Sequence, residues 1–239
     1  MTILKILEED NYLFLDTLIL FLLVNYSPQI MLIYVGMSFL GTIFYALARN
    51  RGIPMIPFES RKDNRIQAVM IALVALGIFS YLYNLIHTIQ FPAAIVGLTG
   101  GGITAAIPTF TEFIMKAFAT APVLEQSRII QFFVFGLLIP IVETKFFFRT
   151  LMGWFSWKYN LYTEKWSSTD AVKAIMAMSI IFMFFHLTAK GIRNTPELVA
   201  TLVFGIISAI LVLFFKEVKH SAYFHIFTNS FAMMKVMGS

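Results

Sequence analysis

The stretch Ile139-Pro-Ile-Val-Glu-Thr-Lys-Phe-Phe-Phe-Arg149 sits inside an apolar run, Ile129 to Phe155, that is long enough to cross a bilayer. It carries Glu143 into the middle of that run. An ionised carboxylate in hydrocarbon costs several kcal/mol, on the order of 3 by insertion scales, so it persists only where a partner or a polar cavity receives it. Two later apolar segments supply candidate partners, Phe182-Met-Phe-Phe-His186 and His225-Ile-Phe-Thr-Asn229. One carboxylate, two imidazoles and an amide on three separate helices point to a single shared pocket.

Composition agrees with a chain built in lipid. Of 239 residues 59% are apolar and only 13% charged, about half the charged fraction of an ordinary soluble domain. The reading is an all-α, polytopic transmembrane bundle of about seven spans, within a range of six to eight. The net charge of +5 does not indicate nucleic acid, because Lys and Arg sit mainly in short loops beside the apolar segments, where they act as topology signals. Cysteine is absent, which excludes disulfides, a thiol nucleophile and thiolate metal sites. The N-terminus has one Lys, then three acids, then an apolar run lacking a small-residue exit; a retained anchor is expected rather than a cleaved signal peptide.

Outward from the central stretch, spans are expected at Tyr12 to Val24, Gln29 to Ala48, Ile66 to Ile89, Ile129 to Phe155, Ala171 to Thr188, Leu198 to Phe215 and Ala222 to Val236. Asp16 lies within about one turn of its segment's start, where it reaches interfacial water. The basic, proline-containing segment from Arg49 to Arg65 reads as a cytoplasmic loop. His87 reads as an interfacial side chain. The Gly97-Leu-Thr-Gly-Gly-Gly102 cluster lacks the Gly-Lys-Ser/Thr ending of a phosphate loop and reads as a linker or re-entrant loop, followed by a short amphipathic piece at Phe110 to Phe118. Trp154, Trp157 and Trp166 read as interfacial anchors, and Pro196-Glu197 as a helix start. A cytoplasmic N-terminus places twelve of the 18 Lys and Arg inside, five outside, and leaves Lys145 within a span. The same threading puts Glu143 near mid-membrane, His186 in the outer half and His225 close to the inner face. The chain divides into residues 1–127, holding the hairpin, third span and glycine-rich loop, and residues 128–239, holding the chemistry.

Residues four apart share a helix face, so His225 and Asn229 present an imidazole and an amide on one stripe, and Phe182 packs its ring beside His186. Pro140 removes the backbone bond to Gly136 and favours a kink just before the acid. Lys145 and Arg149 are the nearest cations in sequence; pairing with Glu143 merely to neutralise it is the bland alternative. Neither a His-Glu-x-x-His zinc motif nor a Gly-x-Ser-x-Gly elbow is present. What remains is a carboxylate with two histidines, able either to activate water directly or to hold a metal such as zinc as a Glu-His-His set.

In this order the three segments resemble the membrane-embedded CAAX prenyl endopeptidase and bacteriocin-processing family, called Abi or CPBP, whose pattern is Glu-Glu-x-x-x-Arg, Phe-x-x-x-His, His-x-x-x-Asn/Asp. The resemblance runs from about Phe132 to Met234, with Val203-Phe-Gly-Ile-Ile-Ser208 as the small-residue helix between the histidine motifs. It implies a helical core with a conical polar cavity and a glutamate-type peptidase. Glu143 and His186 would activate water, His225 and Asn229 would stabilise the oxyanion, and no metal cofactor would be required. The implied partners are the bilayer and a peptide or protein substrate, possibly prenylated. A non-catalytic scaffold, a bacteriocin-immunity protein and a proton or cation transporter are the alternatives. The first motif departs: Thr144 stands in place of the second Glu, and Arg149 comes one residue late, about 100° around an α-helix from the face it should occupy. A π-bulge or similar irregularity between Glu143 and Arg149 is therefore expected.

Overall fold

The computed structural model describes residues 28–53, 55–56, 65–96, 132–161, 167–188 and 194–238. The expected first span with Asp16, the glycine cluster, the piece at Phe110 to Phe118 and Trp166 lie outside the described residues. Among the described residues all regular structure is helical.

Helix α1 (Pro28–Asn50) opens on a proline, whose missing N–H costs nothing in a first turn. It turns Tyr34, Met37, Ser38 and Ala48 inward and Phe39, Leu40, Ile43 and Leu47 outward. Helix α2 (Arg65–Thr88) buries Ala68, Ala72, Ala75 and Phe79 and exposes Met70, Leu73, Val74 and Ile78. Both faces are apolar, small residues inside and large ones outside, which is the sorting of a helix packed in lipid rather than water. A single turn, α3 (Ala93–Val96), follows.

Residues 132–158 form one continuous but irregular helix, α4. It is π-helical over Phe132–Leu138, α-helical over Ile139–Glu143, π-helical again over Thr144–Leu151, and α-helical over Met152–Lys158. The second π segment falls where the displaced Arg149 required one. Thr150 follows its winding, its hydroxyl donating to the carbonyl of Lys145 five residues back at 3.1 Å.

Helix α5 (Ser168–Thr188) begins three residues before the expected span because Ser167 caps it: its Oγ accepts from the Asp170 N–H at 3.1 Å and donates to the Asp170 carboxylate at 2.8 Å. Helix α6 (Thr195–Phe215) starts as read, with Pro196 and Glu197 in its first turn, and ends on Lys216 in the left-handed conformation. Helix α7 (Lys219–Gly238) completes the bundle. Helices α2, α5 and α6 are each long and apolar enough to span a bilayer; this is a membrane protein.

Aromatic side chains fill the interior. Phe204 stacks on Phe224 with centroids 4.8 Å apart and on Phe182 at 5.5 Å, while Phe79 meets Phe204 and Phe224 edge-on at 5.6 and 5.8 Å. Beside Phe204, Gly205 lets α6 approach α5 so closely that a Cβ there would lie 3.0 Å from the Cα of Ser179. The turn between α6 and α7 is itself buried. Glu217 takes Lys219 Nζ and His220 Nδ1 on one carboxylate oxygen, each at 3.2 Å, and His220 stacks on Phe215 at 3.9 Å. Its charged groups are paired, so this polar turn can lie inside the protein.

Candidate active site

Glu143 ends the α-helical insert of α4 and is completely buried. Its two carboxylate oxygens face different helices. Oε1 accepts a 2.5 Å hydrogen bond from the hydroxyl of Tyr34 on α1. Oε2 lies 3.9 Å from His186 Nε2 on α5 and 3.4 Å from His225 Nε2 on α7. Three residues that simple threading spread over different membrane depths thus meet at one oxygen. Their convergence depends on where α7 begins: its buried first turn sets His225 inside the bundle instead of at the inner face.

The far nitrogens of the two rings have different partners. His186 Nδ1 lies 2.9 Å from the carbonyl of Phe182, which can only accept, so Nδ1 carries a proton and Nε2 faces Glu143. His225 has a hydroxyl behind it instead. Its Nδ1 is 3.0 Å from Thr144 Oγ1, and among the described residues it is the only hydrogen-bonding partner of that hydroxyl. The His225 Nε2 faces the carboxylate at 3.4 Å, and with the ring proton on that nitrogen the hydroxyl is the donor to Nδ1. Thr144 therefore performs a definite task at the position where the family pattern has a second glutamate.

The Phe182 ring packs against His186 with centroids 4.3 Å apart, as the spacing predicts, and reaches His225 at 6.0 Å; Phe204 holds the other imidazole at 4.7 Å. Aromatic walls on both rings restrict their rotation and keep water to the polar side. Arg149 and Lys145 are both buried in the second π segment.

Asn229 sits one turn beyond His225, and its Nδ2 donates to the carbonyl of Phe135 at 3.1 Å; the neighbouring Ser230 hydroxyl donates to the carbonyl of Gly136 at 3.2 Å. Pro140 accounts for one of these open acceptors. A residue there with an N–H would donate to Gly136 in α winding or to Phe135 in π winding, and proline leaves that one carbonyl to a side chain of α7. One Asn229 amide hydrogen is thereby committed to the backbone. His87, read as interfacial, is exposed and bonds the carbonyl of Tyr83 and the Glu197 carboxylate at 2.8 and 3.2 Å.

Tyr34 is the residue the sequence did not disclose. It belongs to no motif, and one tyrosine in an apolar run carries no mark that separates it from the other eight.

Residues 125–231 match the family model described as Type II CAAX prenyl endopeptidase Rce1-like. No curated protein and no solved structure gives a significant match. The matched stretch contains Glu143, Thr144, Arg149, Phe182, His186, His225 and Asn229. Over residues 125–231, the chain is similar to the CPBP, or CAAX protease-like, family of membrane endopeptidases.

Proposed function

We propose that the protein hydrolyses a peptide bond within the membrane by a glutamate-type mechanism centred on Glu143. The observation that supports this reading is the convergence of His186 Nε2 and His225 Nε2 on one buried carboxylate oxygen, Glu143 Oε2, at 3.9 and 3.4 Å; in the proposed mechanism the two rings face it in opposed tautomers. Glu143 Oε2 and His186 Nε2 are both acceptors, 3.9 Å apart, a separation that a water donating one hydrogen to each can bridge. Such a water has its own lone pairs turned away from both groups. As its oxygen attacks the scissile carbonyl carbon, one proton passes to Glu143, and the carbonyl oxygen becomes an oxyanion that accepts from His225 Nε2–H. Collapse breaks the C–N bond, and the same proton moves from Glu143 to the departing amine. The second hydrogen of Asn229 Nδ2 is available to the oxyanion, while the first keeps α7 in register with α4.

Glu143, His186, His225 and Asn229 are the proposed catalytic residues, with Arg149, Phe182 and Thr144 in support. The proposed substrate is a peptide or protein, possibly prenylated, that reaches the site from the bilayer. The proposed mechanism uses no metal: Glu143 and His186 activate the water directly. The test is cleavage of a farnesylated, CAAX-terminated reporter peptide by the protein reconstituted in liposomes. Glu143→Gln and His186→Ala each abolish cleavage, His225→Ala lowers kcat by about 100-fold or more, and a zinc chelator leaves the wild type unaffected. Undiminished cleavage by Glu143→Gln rejects the mechanism, and loss of activity with the chelator replaces it with a metal-dependent one.

A further inference from the structure

Tyr34 stands on α1, outside the family-matched residues 125–231, and 109 positions before Glu143. Both side chains are buried, and the 2.5 Å bond between them lies at the short end for an O–H donor to a carboxylate. We propose that Tyr34 is a positioning residue of the active site: it pins Oε1 so that Oε2 is the oxygen turned to His186, His225 and the attacking water.

The orientation of the Glu143 carboxyl plane depends on what its oxygens meet. Rotation of a carboxyl group about its terminal bond is soft and roughly two-fold, so a glutamate held only by its stem presents its oxygens in varying directions. A donor on one oxygen fixes the plane of the group. Here the phenol lies on the α1 side and the two imidazoles on the α5 and α7 side, so fixing Oε1 aims Oε2 at them.

The donor's chemistry matters as well. A lysine or arginine on Oε1 would bring a full positive charge that competes with the water and the oxyanion for the carboxylate. A phenol supplies a strong hydrogen bond and itself brings no formal charge to Oε1. Packing alone does not call for the hydroxyl. Its immediate inward neighbour Met37 is apolar, and a phenylalanine would occupy the same volume without a buried oxygen needing a partner. Tyr34 and Ser38 are the described polar side chains on this buried face, and Tyr34 is the one bonded to Glu143.

This inference rests on the endopeptidase reading, and its test separates the two. The infrared difference spectrum of wild type minus Glu143→Gln isolates the carboxyl bands of Glu143. In a Tyr34→Phe background those bands shift, because one oxygen has lost its donor. With the farnesylated CAAX reporter, Tyr34→Phe lowers kcat about 10- to 100-fold at unchanged KM, the expected size for one buried hydrogen bond to a charged group. Bands at the wild-type frequency, wild-type kcat, or a loss expressed through KM alone would each overturn the assignment. Where Tyr34→Phe does not yield folded protein, 3,5-difluorotyrosine at position 34 keeps the ring and strengthens the donor, and the same bands must move. A Glu143→Gln variant that still cleaves defeats the endopeptidase reading; an inactive Glu143→Gln beside a fully active Tyr34→Phe defeats the Tyr34 assignment alone.

Discussion

Two histidines with the same side-chain chemistry face Glu143, and in the proposed mechanism their opposite protonation comes from what lies behind each ring. A backbone carbonyl stands behind His186 and a hydroxyl behind His225. The second of these is open to a small substitution. Thr144→Val removes the hydroxyl while keeping the branched shape, so His225 Nδ1 loses its donor and Nε2 is no longer held as N–H. We expect kcat for the reporter to fall about fivefold at unchanged KM, and Thr144→Ser to restore most of it, since one buried hydrogen bond is worth about 1 kcal/mol. A Thr144→Val variant with wild-type kcat removes this hydroxyl from the proton geometry. The motif residues were legible in the sequence because an acid and two imidazoles are conspicuous in apolar surroundings. The tautomers were not, because they depend on a carbonyl and a hydroxyl that spacing alone cannot bring to the rings, and Tyr34 was hidden for the same reason.

At the scale of single helices, α4 shows what an extra residue does. A π turn closes five residues back instead of four and takes up about one more residue than an α turn. The late Arg149 is thereby brought back towards the face that five residues of α-helix would give it. This irregularity was legible as an arithmetic mismatch against the family pattern; the first π segment, which no mismatch announced, was not. That first segment is joined to α7 through Gly136. A Cβ at this position would lie 3.1 Å from Ser230 Oγ, which would have to give by a few tenths of an ångström, and 3.5 Å from Ser230 Cα, an ordinary contact. Helix propensity favours Gly136→Ala by up to about 1 kcal/mol, whereas overpacking typically costs 1–3, so a net loss of stability is expected. Thermal unfolding in detergent measures it. Ser230→Ala, which removes the Oγ, should recover part of the loss in the double variant, and a positive coupling in that cycle locates the strain at this contact. A Gly136→Ala protein more stable than the wild type would show that the two helices do not need this close approach.

For the molecule as a whole, the relative directions of the helices follow from contacts at their ends. Tyr83 and His87, near the end of α2, both bond Glu197 in the first turn of α6, so these two ends share one side of the bundle. Arg51, just past α1, lies over the ring of Trp154 in the last α-helical part of α4, which brings the opposite ends together. The resulting arrangement, with α2 and α6 antiparallel, matches the threading from loop charges, and the span boundaries were mostly legible to within three residues. The join between α6 and α7 was not, because a turn containing Lys216, Glu217 and Lys219 reads as a surface loop, whereas only Lys216 is exposed and Glu217 and Lys219 are buried as a pair. Absolute orientation then rests on the excess of Lys and Arg assigned to the cytoplasmic side. The absence of native cysteine makes this directly measurable. Single substitutions at four exposed positions suffice: Asn50→Cys and Lys216→Cys at one end, Thr88→Cys and Asn194→Cys at the other. A membrane-impermeant maleimide added to intact cells should label positions 88 and 194, and positions 50 and 216 only after the cytoplasmic face is opened. The reverse pattern inverts the protein in its membrane while leaving the bundle intact. Labelling of 88 and 194 from different sides would be incompatible with the Tyr83–Glu197 and His87–Glu197 contacts, and with them the packing that brings α5, α6 and α7 around Glu143.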